Sequence, residues 1–349
     1  MKGFRKFFDD IANTIADVIP DEVTDNVVNN FSIQATKRKK STVPVGNKPK
    51  PVHRKVLKIV HNARIPSEGN RKLSEVLGWN NHKQLAAGYI SDLRRISYGY
   101  ANYQVVDEIE VDGFPVKIDG FAYTGDQFVR LWRARRGFHK PDAVDYMRLV
   151  RKFNIIERVN SGEIDEVWLF AFPYAGYYES IMAGPGAFWC NAPALKGTEH
   201  AKRRFVIMGY NYQRGVGEML ENLGHRAESI MRHVYRGTRG DANLWERFTR
   251  YDQTHPGKAE VGMMHFAPNS IKDYDWGNKS KVPSTCDNWL KFPDIDSAPP
   301  RIVDCSDWGH GDIRAHHKWW FKRLPHITGE ENGISYNWWK YIIDPNTVR

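Results

Sequence analysis

The chain has 349 residues and is 41% hydrophobic, enough for a sizeable core in one large domain or two ordinary ones. Its three cysteines, with no CxxC pair, exclude a disulfide framework and a structural zinc knuckle, and no apolar run approaches a membrane span. A net charge of +10 favours anionic partners but says nothing of fold.

Half of that charge excess falls within residues 1–55, which hold eleven Lys/Arg against six Asp/Glu. Phe4, Phe7, Phe8, Ile11, Ile15, Val18 and Ile19 recur at helical spacing, and Gln34–Lys55 has the composition of an exposed basic linker. Residues 1–52 therefore read as an amphipathic helix on a flexible tether, the helix docked on the body, lying on a membrane surface, or serving as an address for a delivery or packaging partner. Asp9, Asp10 and Asp17 break the continuous apolar core that a Sec signal peptide needs. The expectation is a protein that is soluble and cytoplasmic as synthesised, with any export by a non-classical route.

From residue 53 short apolar runs alternate with amphipathic segments. Val56–Val60, Glu166–Phe172, Arg204–Met208 and Glu260–Phe266 read as strands, and Tyr103–Val111 as an acidic edge strand. Lys72–Leu77, His82–Ile96, Thr124–Arg136, Ala143–Asn160 and 216–235 read as helices. That alternation predicts an α/β fold of three layers: a mostly parallel sheet with helices on both faces. Residues 53–349 would form one domain, with an aromatic-rich C-terminal cap from about residue 290 that includes Trp319, Trp320, Trp338 and Trp339.

In open α/β sheets ligands bind beyond the carboxyl ends of the strands. Those ends carry His61, Asn62 and Arg64; then Tyr174, Tyr177, Glu179 and Cys190; then Asn211 and Arg214; then His265, Asn269 and Asp273. The segment after Met208 is the most pointed of these. On its helix Glu218, Glu221, His225 and Glu228 fall on one face, where like charges a turn apart repel unless something compensates them.

One compensation is a divalent metal, zinc by preference. His225, Glu228 and the later His265 would be its ligands, with the fourth position open to water. Glu221 or Glu218 would take a proton from that water, and Arg214 or Asn211 would orient the substrate. The order HxxE and then His also occurs in metallocarboxypeptidases, whose further motifs this chain lacks. The bland alternative is that these carboxylates neutralise nearby arginines such as Arg214, Arg226 and Arg232.

The expectation is thus a metal-dependent hydrolase of peptide or amide bonds. Two other readings stand beside it. A carbohydrate- or cell-surface-acting module, delivered through the basic N-terminal segment, would pair Glu179 with Glu218 or Glu221 and act on a glycan. A thiol hydrolase would use Cys190 as nucleophile and His265 as base. Nucleic acid is not expected as a partner, because no known recognition signature accompanies the basic charge.

Overall fold

The computed structural model describes residues 47–349, so the expected N-terminal helix and most of the linker lie outside the described residues. The described residues form one compact unit. At its centre is a five-stranded sheet built from β1 (Val52–His61), β2 (Ala101–Val111), β3 (Glu166–Ala171), β4 (Ser180–Ala183) and β5 (Phe205–Asn211). The strand order is β2-β1-β3-β5-β4, with four strands parallel and β4 antiparallel to β5. The fold is therefore α/β with a mostly parallel sheet, as the alternating pattern implies.

The central strands are buried on both faces, which is why they read as near-continuous apolar runs. Val56, Val60, Trp168, Phe170, Val206 and Met208 enter one core cluster. Their neighbours Leu57, Ile59, Val167, Leu169, Phe205 and Ile207 enter the other. The first cluster also takes side chains from α1 (His82–Ile96), α5 (Val216–Val234) and α6 (Ile313–Phe321). The second takes them from α3 (Tyr146–Lys152) and α4 (Ile155–Asn160). A further helix, α2 (Gly125–Ala134), follows the β2 edge. That edge alternates buried and exposed positions, and its outward acids are held by Lys58 on Glu108 at 3.1 Å and Lys72 on Glu110 at 2.6 Å. Charge on an outer strand discourages pairing with another chain.

Three sequence expectations change. The helix expected over Ala143–Asn160 is two helices, because Asn154 takes a left-handed φ of 50° between them. Ser180–Ala183 is an unexpected edge strand, too short to show a period. Glu260–Phe266 is not a strand but a tight turn in which Met263 and Phe266 exchange backbone hydrogen bonds. Gly262 makes that turn possible: its φ is +89°, and an added Cβ would lie 2.2 Å from the Phe266 carbonyl oxygen. Among the described residues no helix is long and apolar enough to cross a membrane.

The strand order reverses between β1 and β3, where an open α/β sheet usually offers its crevice. Here that place is filled by side chains. His61 is 2% exposed, its Nδ1 lies 2.7 Å from the Tyr177 hydroxyl, and its carbonyl accepts from the Tyr212 hydroxyl at 3.0 Å. Asn62 is likewise buried and bonds Ser74.

Burial pushes the His61 pKa down to about 3, with Lys152 adding to the shift. The fold therefore holds this imidazole neutral, so its contribution is full above about pH 6.5 and is lost as the pH falls towards 3. Stability is expected to drop by about 2 kcal/mol between pH 6.5 and pH 5 on this account alone. Urea unfolding of His61→Gln should show a correspondingly smaller difference between those two pH values, and an equal difference removes His61 as the cause.

Candidate metal centre

Helix α5 follows β5 through a turn that uses up three of the expected site residues. Asn211 Oδ1 accepts from the Gln213 amide at 2.9 Å, and the Arg214 amide donates to the Asn211 carbonyl. Glu218 accepts from the Gly215 amide at 3.0 Å and from Arg214 at 3.4 Å. Asn211, Arg214 and Glu218 thus close the first turn of the helix and stay apart from the imidazoles.

Over the next three turns, three other segments converge on the helix. Glu221, His225 and Glu228 come from α5, and His265 from the 263–266 turn. Glu179 comes from the residue before β4, and Asp273 and Tyr274 from the following loop. Two glycine-dependent approaches bring them together: the turn at Gly262, and Gly224 on α5, where an added Cβ would meet the Met264 side chain at 2.2 Å. Met264 in turn donates its amide to Glu228 Oε1 at 2.8 Å, which clamps the turn to the helix.

The two imidazoles face each other. His225 Nε2 and His265 Nε2 are 2.9 Å apart, and Glu221 Oε1 lies 3.0 Å from His265 Nε2 and 3.9 Å from His225 Nε2. Both rings are anchored from behind. Glu228 Oε2 sits 3.0 Å from His225 Nδ1, and Asp273 Oδ1 sits 2.9 Å from His265 Nδ1. A carboxylate on Nδ1 fixes the tautomer that leaves an Nε2 lone pair free, which is how metal-binding histidines are oriented. Among the described residues, Glu221, His225 and His265 are the group whose ligand atoms lie close enough together to hold an ion.

A triangle with edges of 2.9, 3.0 and 3.9 Å has its circumcentre about 2.0 Å from every corner, the distance at which zinc takes imidazole nitrogen and carboxylate oxygen. Glu179 completes the surroundings. Its Oε2 is 3.9 Å from His225 Nε2 and accepts from Asn191 Nδ2. Its side chain is 27% exposed against 10% for Glu221, so it stands at the rim of the cluster.

The electrostatics point the same way. Burial alone would lower both imidazole pKa values, but the carboxylates prevail. Asp273 and Glu221 hold His265 up at about 9, and Glu179, Glu221 and Glu228 hold His225 well above the usual range. Burial would raise Glu221 and Glu228, yet the imidazoles beside them, and for Glu228 also the Met264 amide, pull both below the usual carboxylate value. Four acids around two imidazoles thus retain positive charge, as protons or as a cation. Glu179 differs: burial pushes its pKa up.

The arginine-neutralising alternative finds another home. Arg226 is fully buried and bonds Glu166 of β3 at 2.7 Å, so Glu221 and Glu228 are left to the histidines. Cys190 is also buried. Its Sγ lies 3.6 Å from Ser180 Oγ, and burial raises its pKa, the reverse of what a nucleophilic thiol needs.

Sequence reasoning placed His225, Glu228, His265, Glu221 and Glu179 in contention, and the structure gathers all five. It did not give roles to Asp273 and Asn191, and it did not single out Tyr274, whose ring lies 4.2 Å from that of His265. These residues sit in loops with no periodic signature; the one available cue was an acidic loop eight residues after a histidine.

Gly224→Ala tests the clamp. Alanine favours a helix by about 1 kcal/mol, but overpacking against Met264 costs about 1–3 kcal/mol. The expected result is a lower Tm together with weaker divalent-ion uptake; an unchanged affinity separates the turn from the ion.

Comparison of the chain with protein-family models, with curated proteins and with solved structures finds no match in any of the three.

Proposed function

We propose that the protein is a metal-dependent hydrolase of peptide or amide bonds, with a divalent ion, zinc by preference, on Glu221 Oε1, His225 Nε2 and His265 Nε2. The observation that carries this reading is the convergence of those three atoms around a point about 2.0 Å from each. Two imidazoles and one carboxylate are also the donor set of zinc centres that cleave peptide bonds. An ion held there would lower the pKa of a water bound to it to about 7.

Glu179 is the acceptor for that water's proton. It is the carboxylate whose affinity for protons burial raises, and it stands at the open side of the cluster. The ligand role expected for Glu228 thereby passes to Glu221, and the base role expected for Glu221 or Glu218 passes to Glu179. Glu221 is the ligand, while Glu228 orients His225 from its far nitrogen. At that centre the two edges near 3 Å subtend about 100° and the 3.9 Å edge about 165°, so the three atoms and the point lie in one plane, which suits six-coordinate manganese or iron as well as zinc with further ligands.

Elemental analysis of protein purified without chelator tests the proposal, followed by hydrolysis assays on peptide and amide substrates with and without EDTA. About one zinc per chain, with hydrolysis lost in EDTA and restored by zinc, is the expected result. No stoichiometric metal, or full hydrolytic activity in EDTA, overturns it, and bound iron with no hydrolysis moves the centre to redox chemistry.

A further inference from the structure

Behind Glu221, on the side away from His225 and His265, lie two consecutive histidines of α6. His316 and His317 are both fully buried, and their Nδ1 atoms are 3.0 Å apart. Trp276 stacks on His316 with centroids 5.3 Å apart and meets His317 edge-on at 5.0 Å. A charge on either ring is costly in such surroundings, so both are neutral. One proton lies between the two Nδ1 atoms, and it belongs to one ring or the other.

The remaining nitrogen decides which. His317 Nε2 has no hydrogen-bond partner among the described residues and faces Glu221 Oε2 at 3.9 Å. A lone pair aimed at a carboxylate repels it, whereas an N–H attracts it. His316 therefore donates its Nδ1–H to His317 Nδ1, and His317 carries its own proton on Nε2. The 3.9 Å gap exceeds a direct hydrogen bond and is closed by a bridging water or a shift of about 1 Å.

Resting on the metal reading above, we propose that the His316–His317 pair is a positioning device for Glu221. It claims Oε2 and leaves Oε1 as the single oxygen offered to the ion. Without it the carboxylate is free to turn both oxygens to the metal and occupy the position that water needs. His316 and His317 touch neither ion nor substrate; they act through the ligand, as outer-shell partners of metal centres do.

Cobalt substitution reads this directly, because its visible absorption weakens as the coordination number rises. For His317→Leu we expect a fall in metal affinity of about 10–100-fold and a weaker, shifted cobalt spectrum. His317→Gln, which keeps an N–H donor, should restore both in large part. His316→Leu, which removes the donor that sets the tautomer, should move the spectrum in the same direction. The tautomer itself is read from imidazole nitrogen-15 shifts of the unaltered protein, with Nε2–H expected at His317, so the assignment stays testable if a leucine variant fails to fold.

An Nδ1–H tautomer at His317, or an unchanged cobalt spectrum in folded His317→Leu, overturns the positioning role while leaving the metal centre intact. Unaltered protein that takes up no cobalt overturns the metal reading and this role with it.

Discussion

His225→Ala, His265→Ala and Glu221→Gln should each lose metal, whereas Glu179→Gln should keep the metal and lose turnover. The split follows from what each group touches. Loss of an outer-shell partner alone weakens metal binding by about 10–100-fold, so loss of a ligand should exceed about 100-fold. Glu179 is not among the residues whose ligand atoms lie close enough together to hold an ion, so on this reading its removal takes nothing from the ion. On the proposed mechanism what it removes is the proton acceptor, and positioned acid–base groups contribute about 10²–10⁴-fold to rate.

Stability should separate the variants as well. Because burial raises the Glu179 pKa, its ionised form is a cost to the fold, so Glu179→Gln should melt at the same temperature or higher. His225→Ala strips the partner from Glu228 Oε2 and leaves a largely buried carboxylate less compensated, so it should melt lower. Metal content, peptide turnover and melting temperature on the four variants decide the matter. If Glu179→Gln loses its metal along with its activity, Glu179 is a ligand and the proton acceptor lies elsewhere.

The sequence carried the helix of the site better than its surroundings, for a physical reason. A regular period places Glu221, His225 and Glu228 on one face whatever the tertiary context. Which atom of each would face an ion is a matter of packing. The sequence reading gave Glu228 the ligand role and Glu221 the base role; in the structure the Met264 amide engages Glu228 Oε1, and it is Glu221 whose oxygen lies with both Nε2 atoms. The 260–266 segment failed as a strand because a composition of Val, Met and Phe fits a strand and a buried turn equally, and only the φ of Gly262 distinguishes them.

Of the four expected strand ends, those of β3 and β5 lead to residues of the candidate centre, Glu260–Phe266 reaches it as a turn, and the end of β1 does not. His61, at the reversal of strand order, is a buried structural residue, while Glu179 reaches the site because the short β4 runs antiparallel beside β5. Pairing direction follows from contacts far apart in the chain, and no local pattern announces it.

Arg226→Met is expected to destabilise the fold by about 3–5 kcal/mol, the range for removing one partner of a buried ion pair. Arg226 follows His225 directly and is fully buried, and it bonds Glu166 at the start of β3 at 2.7 Å. Glu166 is held besides by the Trp168 indole at 2.9 Å and the Tyr103 hydroxyl at 3.3 Å. Those neutral donors cannot balance an isolated carboxylate, so methionine at 226 strands its charge in the core. The double variant Arg226→Met/Glu166→Gln should recover much of the loss, because the remaining amide keeps a polar site for the tyrosine hydroxyl without a buried charge. The bond also pins α5 to the sheet one residue from His225. Metal affinity should therefore fall in the single variant and return in the double one, with chemical denaturation and chelator competition read on the same samples. A single variant that loses stability but binds metal as before would show that the pair holds the core and leaves the centre to Met264 and the 263–266 turn.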